Sequence, residues 1–90
     1  MPDPQLLRLP RALGDDTRLR TLRLIAQAPR STQELASLIA ISEAGLSKHL
    51  RILSEAGLVE SHRAGYYVLY TLSEETIDQL SDELRQFLRS

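Results

Sequence analysis

The sequence predicts a mainly α-helical fold with one β-hairpin (an α+β class) in a single domain. Apolar residues recur at three- and four-residue spacing in several short stretches up to Ala56. From Leu58 to Leu72 the pattern changes to two stretches rich in β-branched and aromatic residues. The length of 90 residues suits one small hydrophobic core. We therefore expect residues 1–90 to form one domain in the order four helices, a hairpin and a fifth helix.

The first two helices are predicted from leucine spacing and from capping residues. Leucines at helical spacing predict a short helix over residues 5–13, which Gly14 ends. Asp15 or Asp16 caps a second helix over about residues 16–28. The apolar face expected for this second helix consists of Leu19, Leu22, Ile25 and Ala26.

Two further helices with a tight turn between them are predicted next. Ser31 followed by Glu34 has the capping-box pattern and begins a helix over about residues 32–39. Its expected apolar face consists of Leu35, Leu38 and Ile39. Ser42 caps the next helix, which runs to Ala56. The two helices are short and nearly adjacent, so we expect them to pack as a pair.

A hairpin and a last helix complete the predicted order. Residues 58–63 and 66–72 read as strands, and the Ala-Gly pair between them reads as their turn. Ser73 caps a last helix over residues 74–88, with glutamates in its favourable first turn.

A helix pair at residues 32–56 followed at once by a hairpin wing at residues 58–72 is a winged helix-turn-helix, in which the second helix enters the DNA major groove. At about 100° per residue, the leucines of that helix fall on one side and small, hydroxyl and basic residues on the other. The candidate DNA-binding residues on this helix are Ser42, Glu43, Ala44, Gly45, Ser47, Lys48, His49 and Arg51. Arg63 and Tyr66 flank the wing tip, where they contact phosphates or the minor groove, or remain solvated.

Three of these candidates have alternative interpretations. Glu43 either suits the positive end of the helix dipole or accepts a hydrogen bond from a cytosine amine. His49 either packs at the edge of the buried face or contacts phosphate, and we do not expect it to ligate a metal. Gly45 costs about 1 kcal/mol relative to alanine in a helix interior. Close approach to DNA or to the preceding helix would explain its presence.

Charge and composition limit the possible partners. The net charge is −1, but residues 1–72 hold nine basic and seven acidic side chains, whereas residues 73–90 hold two and five. We expect this acidic C-terminal segment to face away from a polyanion. Cysteine is absent, which excludes disulfides and thiolate metal sites. The sequence has no apolar run of membrane-spanning length and no signal-like N-terminus, so we expect a cytoplasmic protein with no membrane contact.

Three stretches of the sequence resemble the ArsR/SmtB family of winged-helix repressors. They are Leu-Gly-Asp-Asp-Thr-Arg-Leu-Arg from residue 13, Ser-Lys-His-Leu-Arg-Ile-Leu from residue 47, and Glu-Ala-Gly-Leu-Val from residue 55. A weaker match continues to residue 72. The resemblance implies a homodimeric, transcription-regulating protein that binds a near-palindromic operator on double-stranded DNA, with dimer contacts from the terminal helices at residues 5–13 and 74–88. The implied dimer-interface residues are Leu6, Leu9, Leu13, Ile77, Leu80, Leu84, Phe87 and Leu88. An alternative is that these leucines pack only within one subunit.

Members of this family are often released from DNA by a metal ion, but the sequence lacks the ligands for that mechanism. No cysteine occurs in residues 32–39, and the last helix carries Asp78, Asp82 and Glu83 without a histidine. We therefore predict no transition-metal site and no cofactor, and the sequence identifies no inducer. The acidic groups are expected to be a solvated face, although a hard cation could also bind them.

The two alternative classes of function are protein–protein interaction and catalysis. A winged helix can also serve as a protein–protein interaction module, in which case the basic residues are only surface charge. Catalysis is not expected, because no phosphate loop or metal cluster is present. Ser47 and His49 also lie about 200° apart around their helix, which prevents a nucleophile–base pair within one subunit.

Overall fold

A computed structural model of the protein describes residues 11–90, and in that range it contains the predicted helices and hairpin. The elements are α1 (Asp16–Gln27), β1 (Arg30–Ser31), α2 (Thr32–Ile39), α3 (Glu43–Glu55), β2 (Val59–Ala64), β3 (Tyr67–Leu72) and α4 (Glu74–Arg89). Residues 11–13 are also helical. The rest of the predicted helix over residues 5–13, including Leu6 and Leu9, lies outside the described residues. The mainly α-helical prediction with a β-hairpin is confirmed.

Each described helix begins at a side-chain cap. Asp15, rather than Asp16, caps α1 and accepts a hydrogen bond from the backbone N–H of Arg18 at 3.0 Å. Ser31 and Ser42 accept equivalent bonds at the starts of α2 and α3, at 3.1 and 3.0 Å. Such caps each stabilise a helix by about 1 kcal/mol, because they satisfy amide groups that the first turn leaves free.

The sheet has three antiparallel strands in the order β1-β3-β2, one strand more than the sequence predicted. In β1, Arg30 lies opposite Tyr70 and Ser31 opposite Leu69. A stretch of two residues is too short to show a sequence periodicity, and Arg30 and Ser31 form a strand only because they pair with β3. The hairpin turn is Gly65–Tyr66 instead of the predicted Ala-Gly pair, because Gly65 takes the left-handed φ of 63° that the turn requires.

The hydrophobic core lies between the helices and the sheet. Its most buried large side chains are Leu35, Leu46, Leu50, Leu53 and Leu58. The predicted core faces of α1 and α2 need correction, because Leu19 is 49% exposed and Leu38 is 51% exposed, and Ala26 is exposed as well. Thr21 is buried in place of Leu19. Its hydroxyl donates to the carbonyl of Thr17 at 2.7 Å, which satisfies the buried polar group.

Candidate nucleic-acid interface

Helix α3 separates its apolar and polar residues onto opposite faces. Leu46, Leu50 and Leu53 are at most 2% exposed and fix the helix against the core. The side chains of Ala44, Ser47, Lys48, Arg51 and Glu55 are exposed. Thirteen residues make a helix about 20 Å long and about 10–12 Å wide, which fits the major groove of B-DNA. The structure thus presents a polar, partly basic helix face of suitable size.

The first turn of α3 is held by its own cap. Ser42 Oγ accepts from the backbone N–H of Gly45, and Ser47 Oγ donates to the carbonyl of Glu43 at 2.8 Å. A Cβ added at Gly45 would lie 3.1 Å from Ser42 Oγ. That hydroxyl, and not the preceding helix, is the neighbour the structure shows for Gly45. Both serine oxygens retain acceptor capacity toward a base edge.

The wing presents exposed side chains beside the start of α3. Arg63 is exposed on β2, and Tyr66 at the hairpin tip is fully exposed. An open groove of about 530 Å³ lies between the wing and the starts of α2 and α3. It is lined by Ser31, Thr32, Gln33, Glu43, Tyr66, Tyr67 and Val68. Tyr67, which is 57% exposed, is not among the predicted contact residues, because alternation along a strand does not show which of its faces is free.

His49 is half-buried at the edge of α3 and faces a cluster formed by α1 and the residues before it. Its Nδ1 lies 3.2 Å from Nη1 of Arg18 and 3.9 Å from Oδ1 of Asp15. The hydrogen bond from the backbone N–H of Arg18 holds the pKa of the Asp15 carboxyl below its ordinary value, and the nearby Arg18 and His49 side chains act in the same direction. His49 therefore makes polar contacts within the chain at the edge of the buried face.

The second histidine lies on the wing. His62 Nε2 is 2.9 Å from the Thr71 hydroxyl across the hairpin and 3.9 Å from a carboxylate oxygen of Glu60. The structure therefore keeps the two histidines in separate surroundings, one on α3 and one on the exposed side of the sheet.

The predicted dimer-interface residues fall into two groups. Leu13, Ile77 and Leu80 are half-buried and pack against the core of the same chain. Leu84, Phe87 and Leu88 on the last turns of α4 are 46, 44 and 71% exposed. The apolar stripe of α4 is therefore partly covered within the chain and uncovered toward its end.

The acidic residues of α4 show no metal-binding arrangement. Asp82 pairs with Arg85 at 3.2 Å, and both side chains are exposed. Among residues 11–90, no group of three or more histidine, cysteine or acidic side chains is arranged to hold a metal ion. In the same residues, no helix combines the length and hydropathy of a membrane span.

Comparisons with known proteins agree with this geometry. Residues 13–62, which cover α1 to α3 and part of the wing, match the sequence profile of a family described as a helix-turn-helix domain. The chain is 35% identical over 72 residues to the HTH-type transcriptional regulator NmtR of Mycobacterium tuberculosis, an alignment that covers 80% of the chain and 60% of the relative. It is 33% identical over 78 residues to a transcriptional repressor SmtB homolog of Synechocystis sp., covering 87% of the chain and 59% of the relative.

A solved structure extends the similarity to the arrangement in space. The chain superposes with a TM-score of 0.77 and 29% identity on the homodimeric winged helix-turn-helix DNA-binding domain of Mb0332 from Mycobacterium bovis, described as a possible ArsR-family transcriptional regulator. The superposition covers 94% of the chain and 78% of that domain. The chain spans about 60% of the length of the two curated relatives.

Proposed function

The chain belongs to the ArsR family of winged helix-turn-helix transcriptional regulators, and we propose that it binds double-stranded DNA sequence-specifically as a homodimer. One observation carries the proposal. The outer face of α3, the recognition helix, is polar and exposed while its inner face is held by three buried leucines. A rigid helix with small, hydroxyl and basic groups outward suits the major groove.

The predicted DNA-contacting residues have the following proposed roles. Lys48 and Arg51 contact phosphates or guanine edges, since both are cations beyond the first turn of α3. The residues proposed to meet base edges at the start of the helix are Ser42, Ala44, Gly45 and Ser47. The carboxylate of Glu43 either stabilises the positive end of the helix dipole or accepts a hydrogen bond from a cytosine amine. Arg63 and Tyr66 contact the DNA backbone or the minor groove from the wing, which their exposure permits.

The terminal segments at residues 5–13 and 74–88 are proposed to form the dimer interface. The exposed end of the α4 stripe supports this assignment, because three large apolar side chains there remain 44–71% exposed. The homodimeric state of the similar Mycobacterium bovis domain supports a dimer, though not a particular interface. A two-fold dimer places two recognition helices in successive major grooves, so the operator should be near-palindromic with half-site centres about 10 base pairs, or a small multiple, apart.

We propose that the protein acts as a repressor, as the name of its Synechocystis relative says of that protein. We further propose that release from DNA does not depend on a transition metal. The sequence has no cysteine, and its two histidines contact side chains on different elements, Arg18 and Thr71. The proposal includes no catalytic step, since the Ser47 hydroxyl donates to a carbonyl of its own helix and His49 faces Arg18.

The proposal is tested by selecting duplexes from a random DNA pool and measuring salt-dependent anisotropy on the selected sequence. We expect a palindromic sequence that is bound well above a scrambled duplex. Lys48→Ala should weaken binding to both duplexes by about tenfold and reduce the salt slope by about one. Arg23→Ala, which removes an exposed cation of α1, is the matched control and should change neither quantity.

Two outcomes would contradict this proposal. An unchanged affinity of the Lys48→Ala protein would remove α3 from the interface. If selection enriches no sequence and the weak binding disappears with salt, the chain is a winged-helix interaction module that does not read DNA.

A further inference from the structure

The guanidinium of Arg18 connects two parts of the chain that are distant in sequence. Its Nε donates to the carbonyl of Ala12 at 2.7 Å and its Nη2 to the carbonyl of Arg11 at 3.3 Å. Its Nη1 points at Nδ1 of His49 on the recognition helix, 3.2 Å away. One side chain thus joins the helical residues 11–13 to the middle of α3.

We propose that Arg18 is a positioning residue for DNA recognition, which orients the recognition helix relative to residues 11–13 through a hydrogen bond that only a neutral His49 can accept. The inference rests on the proposed function, because its consequence is measured on DNA. If residues 11–13 belong to the dimer interface, the same contact relates the two recognition helices of a dimer to each other.

The chemistry of the contact makes it dependent on protonation. An arginine N–H always donates, so the Nδ1 of His49 must carry no proton. Protonation places a second cation 3.2 Å from the guanidinium and removes the acceptor. A protonated Nδ1 instead has the Asp15 carboxylate 3.9 Å away as a partner. The contact of α3 would then move from Arg18 to Asp15, toward the start of α1.

Within residues 11–90, the charged groups in contact with His49 are Arg18 and Asp15. On α2, Glu34 pairs with Arg30 at 3.3 Å. On the wing, Glu60 lies 3.9 Å from His62, and Arg63 is exposed. On α1 the remaining charges are exposed: Asp16, Arg20 and Arg23. On α3 itself, Glu43, Lys48, Arg51 and Glu55 are exposed. Arg18 and Asp15 are therefore the groups whose charge a change at His49 would act on first.

A phosphate contact by His49 would give the opposite response to acid. A protonated imidazole near the DNA backbone strengthens binding to every duplex, because the added charge acts without regard to sequence. Loss of the Arg18 contact instead weakens the fit to the selected duplex. The ratio of affinities for the selected and scrambled duplexes separates the two, since a uniform electrostatic gain cancels in the ratio.

The experiment measures this ratio for the full chain by fluorescence anisotropy, with the selected duplex and a scrambled duplex as probes, at about pH 8 and about pH 5.5, on either side of the usual histidine range. The variants are Arg18→Gln, His49→Asn and His62→Gln. His49→Asn places an amide oxygen where Nδ1 accepts and removes the titration. His62→Gln is the matched control for the second histidine.

For the wild type we expect the ratio to be lower at the lower pH, because protonation removes the acceptor of the Arg18 hydrogen bond. The ratio for His62→Gln should fall equally, while that for His49→Asn should stay near the wild-type value at both pH values. Arg18→Gln should show a ratio about tenfold lower already at the higher pH.

The results that overturn the inference are distinct from those that overturn the proposed function. A wild-type ratio that does not change with pH, a His49→Asn ratio that falls like the wild type, or an unchanged ratio for Arg18→Gln, each rejects the positioning role. Circular dichroism checks that Arg18→Gln folds, and the His49→Asn profile decides the matter if it does not. A wild type that does not discriminate between the duplexes at either pH rejects the proposed function and this inference together.

Discussion

Helices α3 and α4 are both amphipathic, but they use their apolar faces in opposite ways. In α3 the side chains of Leu46, Leu50 and Leu53 are at most 2% exposed. In α4, which is three residues longer, no residue is buried. The apolar face of α3 is therefore covered within the chain, whereas the apolar face of α4 is covered only in part.

The difference indicates partners of different chemistry. A helix whose leucines are already buried can offer its polar face to a polar ligand without losing its position, which suits a helix that reads DNA. A helix that leaves Leu84, Phe87 and Leu88 exposed leaves apolar surface in water until a second apolar surface covers it. This surface suits another protein chain, and a second copy provides an identical one.

The largest effect is expected where α3 meets the core. Leu50→Ala should lower the free energy of unfolding by about 2–5 kcal/mol, because it removes buried methyl groups and leaves a cavity. Urea denaturation at a fixed protein concentration measures the change. Ile52→Ala on the same helix is the control and should cost less than about 1 kcal/mol, since Ile52 is 37% exposed. Equal losses for the two variants would show that α3 is not anchored by its inner face.

The second effect concerns the exposed end of α4. The double variant Leu84→Glu/Phe87→Glu should weaken dimerisation by at least about 100-fold, close to 3 kcal/mol, since it places two charges in an apolar interface. Sedimentation equilibrium measures the change. Gln79→Glu/Gln86→Glu adds the same charge at exposed polar positions of α4 and should leave the dimer intact. Leu80 is unsuitable as a test, because it packs against the core of its own chain. An unaffected dimer of the first variant would place the interface elsewhere.

The sequence predicted α3 more completely than α4 because local signals determine α3. The Ser42 cap and the leucine period specify its start and its inner face, and the structure confirms both. The leucine period of α4 identified its stripe equally well. It did not show that Ile77 and Leu80 pack within the chain while Leu84 does not, because the covering surfaces come from distant elements.

Elements that depend on contacts remote in sequence were missed for the same reason. Strand β1 exists only because Arg30 and Ser31 pair with β3. Leu19 is exposed and Thr21 is buried because the packing of α1, and not its composition, decides which face is buried. The contact between Arg18 and His49 joins residues 31 positions apart, and no spacing rule indicates it.

A smaller effect is expected at the start of α3. Ser42→Ala should lower the free energy of unfolding by about 1 kcal/mol, because it leaves the backbone N–H of Gly45 without its 3.0 Å hydrogen bond. Ser42→Gly is the informative control, since glycine at this position costs only a few tenths of a kcal/mol relative to serine. Thermal or urea denaturation measures both. If alanine and glycine are tolerated equally, the cap contributes little and the leucines alone define α3.

The smallest effect concerns Asp15, which caps α1 and lies 3.9 Å from His49 of α3. The backbone N–H of Arg18 holds the pKa of this carboxyl below its ordinary value of 3.8. A group whose pKa is lower in the folded state stabilises the fold above its unfolded pKa, and that contribution is lost as the pH falls through the folded pKa. Asp15→Asn keeps a capping oxygen but does not titrate, so it should be slightly less stable than the wild type at neutral pH. The difference should shrink as the pH falls below 3.8 and disappear once the pH is below the folded-state pKa, where urea denaturation of the two proteins should coincide. The same pH dependence should persist in an Arg18→Gln background, since the main donor is a backbone group. If the pH dependence disappears in that background, the lowered pKa of Asp15 is due to the Arg18 guanidinium. The effect would then belong to the contact that joins α1 to α3, and the exposed end of α4 has no equivalent contact.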